Sequence, residues 1–362
     1  MTAHAETILP PRPPAPQQSA GRPWARRGPG FRLAVLLGTI LPPVPVIAAL
    51  LYTDWPPVTI FVAIYLPLQL IAACAAAISQ RGTRAAGDAV IIVLAIGATL
   101  LAVIVLGSIL STIAIRGYQA MSVAFLTQNT LYISPSTPLG YGGVGAAVLG
   151  TFIIVALATV ITVPIGIATA VYVTEVRGRA VPYVRFFVQA MSGVPSVVAG
   201  LFILVVLILS GALAYSALAG ALAYSILMLP TVARTAEEVL KLVPEELRTG
   251  ALALGSTRAR VVGQVVLPAA RTGIVTATIL GIARVVGETA PLLLTSLSND
   301  RTIINPVGNP IASLPVFIFD KVSLPFPDAV ARAWGAALVL MVIVAILFTA
   351  ARLLSARRFA KS

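Results

Sequence analysis

Apolar stretches of about 20 residues or more recur along this chain between short polar breaks, at roughly 31–52, 57–79, 88–115, 143–174, 184–209, 212–233, 270–297 and 332–354. Each is long enough for a helix to cross the roughly 30 Å hydrocarbon core of a bilayer. Backbone groups in lipid must be paired internally, which makes helices the expected form. The composition agrees, because 58% hydrophobic residues, 10% charged residues and a mean hydropathy of +0.98 leave too little polar surface for a soluble domain of 362 residues. The expected fold class is an all-α integral membrane protein with about eight transmembrane helices.

The net charge of +13 does not point to nucleic acid, since the basic residues lie in short clusters between apolar spans without aromatic interleaving. It reads as topology. An even number of spans returns both termini to one side. If that side is the cytoplasm, twenty of the 25 lysines and arginines lie inside and only Arg116, Arg301, Lys321 and Arg332 lie outside, with Arg284 left within a span. The positive-inside rule therefore places both termini in the cytoplasm. Residues 1–30 hold Pro10, Pro11, Pro13, Pro14 and Pro16 among basic residues and cannot bury a core, so they are expected to form a disordered cytoplasmic tail rather than a cleaved signal peptide. With a single cysteine, Cys74, and a single histidine, His4, neither a disulfide framework nor a thiolate or histidine metal site is expected.

Two external segments, 116–142 and 298–331, carry prolines and aromatic residues including Tyr118, Phe125, Tyr132, Phe317 and Phe319. A docking surface and simple interfacial anchoring of helices are both open for them.

The longest cytoplasmic stretch, 234–268, alternates short amphipathic pieces with punctuation. Pro244 is placed to begin a helix, Leu247, Ala251 and Leu254 recur on one face, and Gly255 ends the segment. Such a helix fits a groove on a soluble partner. The stretch resembles the coupling loop of ABC-importer permeases, written Glu-Ala-Ala, three residues, Gly, nine residues, Ile, one residue, Leu-Pro. Here Thr249, Gly250 and Ala251 fill the first three positions, followed by Gly255, Val265, Leu267 and Pro268. The spacing is intact, while Thr249 and Gly250 stand where the pattern has Glu and Ala. The resemblance implies that Leu247, Ala251, Leu254, Gly255 and Pro268 belong to an ATPase-coupling surface.

The second signal is Ala-Arg-Val-Val-Gly-Glu-Thr-Ala-Pro-Leu-Leu-Leu-Thr at 283–295. Arg284 lies 13 residues beyond Arg271, about 20 Å along a continuous helix, and so within the hydrocarbon layer. Arg284 and Glu288 are four apart and are expected to share one helix face. Charges at that depth mark a substrate path or a structural ion pair. The string resembles the PstA-type permease family of phosphate-specific ABC importers, with Gly287-Glu288-Thr289-Ala290-Pro291 as its most distinctive part. Further matches are Gly142-Gly143 leading to Gly150-Thr151, Ser192-Gly193-Val194-Pro195-Ser196 before Gly200-Leu201-Phe202, and Leu229-Pro230 to Arg234-Thr235 with Glu237-Glu238.

That resemblance covers about 88–355 and implies a type I ABC importer permease bundle, a six-helix core preceded by two additional helices within 31–87. It implies that Arg284, Glu288, Thr289 and Arg234 line the substrate path. It further implies a bacterial or archaeal cytoplasmic membrane, with a PstC-like second permease, a PstB-like ATPase dimer and a PstS-like phosphate-binding protein as partners. The chain has no ATP-binding fingerprint, and Gly140-Tyr141-Gly142-Gly143-Val144-Gly145 lacks the Gly-Lys-Ser/Thr of a phosphate loop. ATP and its magnesium are accordingly expected on the partner ATPase, and no cofactor on this chain. A permease for another oxyanion such as molybdate or sulfate is the first alternative. A polytopic membrane enzyme is the second, but no cluster of His, Asp, Glu or Cys lies at one membrane face to serve it.

Overall fold

A computed structural model describes residues 40–81, 84–176 and 178–356. The expected tail at 1–30, the start of the first apolar stretch, and Arg177, Arg357, Arg358 and Lys361 lie outside the described residues. The described chain is helical, and among the described residues no strand is found. Six helices are long and apolar enough to cross a membrane, and a bent pair gives a seventh if counted as one span.

The chain divides after Ser108 into two compact units. The first holds α1 (Pro43–Tyr52), α2 (57–81) and the start of α3 (Arg84–Tyr118). A π-helical turn at Phe61–Tyr65 interrupts α2 and stacks Phe61 on Tyr65, with ring centroids 5.2 Å apart. Ile91, Ile92, Ile96 and Val103 on α3 are exposed, as lipid-facing side chains are.

The second unit holds the rest of α3, then α4 (Val123–Thr127), α5 (Gly145–Val176), α6 (Val181–Ser192), α7 (Ser196–Ile208), α8 (Ala217–Lys241), α9 (Glu245–Ala253), α10 (Arg258–Val285), α11 (Ala290–Thr295), α12 (Leu314–Val322) and α13 (Pro327–Ala356). Its centre is α8, which packs on α5, α6, α7, α10 and α11. Small residues make this possible: Ala217, Ala219, Gly220, Ala221 and Ala223 are buried, so neighbouring backbones approach closely without a hydrophobic force between helices in lipid. Gly166 on α5 and Gly281 on α10 both face Val232 on α8, where an added methyl group would sit 2.9 and 2.6 Å from its side chain.

Two expected spans are broken rather than straight. The stretch at 184–209 becomes α6 and α7, which meet at 103° across Gly193-Val194-Pro195. Proline cannot donate a helical hydrogen bond and disfavours the α conformation in the residue before it. The stretch at 270–297 begins earlier, at Arg258, and its helix stops at Val285 before a short second piece, α11. The ring of Pro291 would collide with the carbonyl of Gly287, and glycine itself weakens a helix by about 1 kcal/mol, so the chain leaves the helix at 286–289.

At the end of the bundle opposite α9, the segments 119–144 and 298–326 are tied together. Thr130 Oγ1 donates to Asp300 Oδ1 at 2.7 Å, and one Nη2 of Arg332 donates to the carbonyls of Thr137, Pro138 and Tyr141 at 2.7, 2.9 and 3.0 Å. Arg332 is buried, as are Phe125 and Phe317, which join one core cluster with Leu314 and Val144. These two aromatic residues therefore present no surface, whereas Tyr118, Tyr132 and Phe319 are exposed. The Gly150-Thr151 pair is explained by the same region: a Cβ at Gly150 would lie 1.9 Å from the Ala312 carbonyl oxygen, and Thr151 Oγ1 accepts from the Leu314 N–H at 2.8 Å.

Candidate functional site

The break after α10 sets the geometry of the most distinctive motif. Arg284 sits one residue before the end of α10 and is exposed, with Nη1 donating to Thr231 Oγ1 on α8 at 2.8 Å. Glu288 lies in the break, beyond the last helical turn, and its backbone carbonyl accepts from the buried Tyr224 hydroxyl at 2.6 Å. Arg284 and Glu288 therefore do not share a helix face, and among the described residues no ion pair joins them. The helical spacing that suggested a pair ends before it can act. Thr289 precedes α11, and its carbonyl accepts from the N–H groups of Leu292 and Leu293 at 3.1 Å.

The partner of Arg284, Thr231, belongs to a polar strip on α8. The exposed residues of that helix are Arg234, Glu238 and Lys241, in a helix otherwise buried or half-buried. Arg234 thus lies about one turn from Thr231 on the same open face, and the structure brings Arg284, Thr231 and Arg234 together as one surface. Beyond Arg234 the strip meets α6. Glu237 accepts from Arg185 Nη2 at 2.9 Å and from Lys241 Nζ at 2.6 Å, closing one wall of a recess of about 300 Å³.

The second candidate surface is α9. Pro244 precedes it, as the sequence indicates, and Gly255 follows it with φ of +83°. That left-handed conformation completes a Schellman motif, in which the Ser256 N–H bonds the Ala251 carbonyl at 3.2 Å and the Gly255 N–H bonds the Leu252 carbonyl at 2.9 Å. The glycine that the coupling-loop resemblance places at 255 thus has a local physical role here, ending α9. Leu254 is 90% exposed, and Leu242, Leu247 and Leu252 are exposed beside it, while Ala251 turns inward against Val243, Val261 and Val266. Pro268 is exposed on α10, two residues beyond a π-helical turn at Val262–Val266.

Sequence reasoning missed the residue that fixes α9 in place. Arg248 donates Nε and Nη2 to the two carboxylate oxygens of Glu175 at 3.2 and 2.9 Å, Nη2 also to the Leu240 carbonyl at 2.8 Å, and Nη1 to the Val243 carbonyl at 2.5 Å. The fork on Glu175 holds the guanidinium above its ordinary pKa, against the opposing effect of partial burial. No local signal reveals this pair, because Glu175 and Arg248 are 73 residues apart. The Glu237–Lys241 pair, by contrast, is an i, i+4 spacing open to inspection. Arg284 lies near the C-terminal end of α10, whereas α9 packs toward the start of that helix, where Ala251 joins a cluster with Val261, Val266 and Ala270.

Residues 162–360 match the family of binding-protein-dependent transport system inner membrane components. The chain belongs to this family. It is 41% identical over 215 residues to a phosphate transport system permease protein PstA 1 of Mycobacterium tuberculosis, covering 59% of this chain and 70% of the relative. It is 39% identical over 268 residues to a phosphate transport system permease protein PstA of Mycobacterium leprae, covering 72% and 86% respectively. A phosphate transport system permease protein PstA of Yersinia pestis is 35% identical over 252 residues, covering 69% and 83%. The chain is a multi-pass membrane component of a transport system.

Proposed function

We propose that this chain is the phosphate-translocating membrane subunit of an ATP-driven importer, contributing half of the path and one coupling surface. The observation that carries this reading is the open polar face formed by Arg284, Thr231 and Arg234, on a helix α8 that is otherwise exposed only at Glu238 and Lys241. Three relatives with phosphate transport in their names support phosphate as the cargo. The chemistry suits it: guanidinium stays protonated and presents a planar fork that pairs with phosphate oxygens, replacing part of the lost hydration shell. Thr231 holds Arg284 when the path is empty, through a neutral acceptor that a dianion outcompetes.

The other half of the path comes from a PstC-like permease, the anion from a PstS-like receptor, and the driving force from a PstB-like ATPase pair that carries ATP and magnesium. The exposed leucines of α9 dock in an ATPase groove, and the Arg248–Glu175 contact transmits its movement to α5 and α8 as a rigid displacement. The charge asymmetry supports a cytoplasmic α9 and two cytoplasmic termini in a cytoplasmic membrane. In this arrangement 88–355 forms the permease domain, with 234–268 as its coupling loop, and 31–87 adds two helices to it. A carrier of molybdate or sulfate shares the coupling spacing, but Gly287-Glu288-Thr289-Ala290-Pro291 and the named relatives favour phosphate.

The test is phosphate uptake by the reconstituted complex carrying Arg284→Gln. Uptake is expected to fall at least a hundredfold while the partners still co-purify, a loss of about 2.7 kcal/mol or more. Undiminished uptake by an assembled variant overturns the path.

A further inference from the structure

The polar strip of α8 does not end at Arg234. At 100° per residue, Thr231, Arg234, Glu238 and Lys241 fall within a sector of about 80°, and they extend about 15 Å along the axis toward α9. The strip starts where Arg284 donates to Thr231 and finishes in the recess of about 300 Å³, whose lining includes Arg185, Gln189, Arg234, Glu237 and Lys241. An adjoining recess of about 470 Å³ shares Arg185 and Lys241.

Its charge is unbalanced. Glu237, with 17% of its side chain exposed, accepts from both Arg185 and Lys241, whose side chains are about half exposed at 52% and 54%. One carboxylate cannot satisfy the eight N–H donors of an arginine and a lysine, so both cations keep donors turned to the recess. Arg234 adds a third cation, and among the described residues no ion pair neutralises it. Three cations against one carboxylate leave the recess with two positive charges, the complement of a phosphate dianion.

We propose that this recess is the exit subsite of the path, where a phosphate oxyanion pauses against Arg185, Lys241 and Arg234 before release. This rests on the reading that the chain carries phosphate past Arg284. Glu237 is the internal competitor: it re-pairs with Arg185 and Lys241 as the anion departs. The recess also lies at the C-terminal end of α8, where the helix dipole disfavours anions. Both effects keep the site weak, as an exit requires.

The experiment measures inorganic phosphate binding by phosphorus NMR line broadening, using the assembled receptor-free complex in phosphatidylcholine nanodiscs. An Arg284→Gln background removes the upper site. Arg185→Gln and Lys241→Gln are expected to weaken binding at least fivefold, and Glu237→Gln to tighten it, a change of opposite sign that misfolding does not produce. Binding unchanged by all three substitutions overturns the subsite, as does weakening by Glu237→Gln. Lipid headgroups offer the same phosphate chemistry, so the measurement is repeated with phosphatidylglycerol in the discs. Retained broadening supports free phosphate as the occupant; its disappearance assigns the recess to lipid and overturns the exit role. The parent reading fails separately, through normal uptake by the Arg284→Gln complex.

Discussion

Both carboxylate oxygens of Glu175 accept from Arg248, which reaches from α9 to the last turn of α5 and also donates to the carbonyls of Leu240 and Val243. One guanidinium thus joins α9 to α5 and to the end of α8. An arginine suits this place because its five donors leave in a fixed fork, whereas a lysine offers a single charged centre on a flexible stem.

Removing that fork leaves Glu175, whose side chain is 10% exposed, charged and largely unsolvated. Arg248→Gln is expected to destabilise the chain by about 3 kcal/mol, near the lower end for breaking a buried pair. Phosphate moved per ATP hydrolysed should fall while the ATPase remains bound, because the exposed leucines of α9 are untouched. Arg248→Lys should restore part of the stability and little of the coupling. An unchanged transport-to-hydrolysis ratio in Arg248→Gln would refute transmission through this contact.

Leu254 tests docking apart from transmission. Its side chain is 90% exposed and lies at the C-terminal cap of α9, so Leu254→Asp removes no packing within the chain. Thermal stability of the isolated subunit should move by less than about 0.5 kcal/mol. Co-purification of the ATPase should be lost, as expected for an apolar anchor contributing about 2 kcal/mol or more to an interface. Retention of the ATPase at wild-type yield argues against α9 as the docking helix.

Much of this fold was legible because bilayer thickness acts on every span alike: the stretches at 57–79, 88–115 and 143–174 correspond to helices in the structure. The ends of α9 were equally readable, since Pro244 and Gly255 act through local backbone conformation. The broken spans were less so. Apolar composition continues through Gly193-Val194-Pro195 and resumes at Ala290 directly after the short Gly287-Glu288-Thr289 interruption, so a count of hydrophobic residues over a whole span cannot register the turn that Pro195 and Pro291 impose. The Arg284–Glu288 reading failed for that reason, because i, i+4 proximity holds only while the helix continues. Arg284–Thr231 and Arg248–Glu175 depend on which helices become neighbours, and their separations of 53 and 73 residues carry no periodic trace.

Close packing at Gly150 predicts a strict size limit. A methyl group there meets the carbonyl oxygen of Ala312 at 1.9 Å, and backbone cannot swing aside as a side-chain tip does. Gly150→Ala is expected to cost at least about 2 kcal/mol, within the range for overpacking a filled site. Thermal unfolding of the detergent-solubilised chain measures it. A variant as stable as the parent contradicts the approach of α5 to the segment before α12.

The orientation is open to a direct chemical test. Arg258 and Tyr132 are both exposed and lie at opposite ends of the bundle, so cysteines at these positions can be reached by an impermeant thiol reagent from one side each. In intact cells, in a Cys74→Ser background, the cysteine at Tyr132 should label and the cysteine at Arg258 should label only after permeabilisation. The reverse pattern would invert the chain and remove α9 from the compartment that holds ATP.

A final prediction separates a path residue from a structural one at Arg284. If its charge served to pair with Glu288, exchanging the two, Arg284→Glu with Glu288→Arg, would restore what either single change removes. The structure argues otherwise: Glu288 sits past the end of α10 with its backbone carbonyl held by Tyr224, and Arg284 points to Thr231. The exchange also puts a carboxylate on the open face beside Thr231 and Arg234, where it repels an incoming anion and supplies Arg234 with a resident competitor. Phosphate uptake by the exchanged complex should therefore remain at the level of Arg284→Glu alone, with a coupling energy between the positions below about 0.5 kcal/mol in a double-mutant cycle on stability. Recovery of uptake to more than a tenth of the parent rate would establish the ion pair and remove Arg284 from the path.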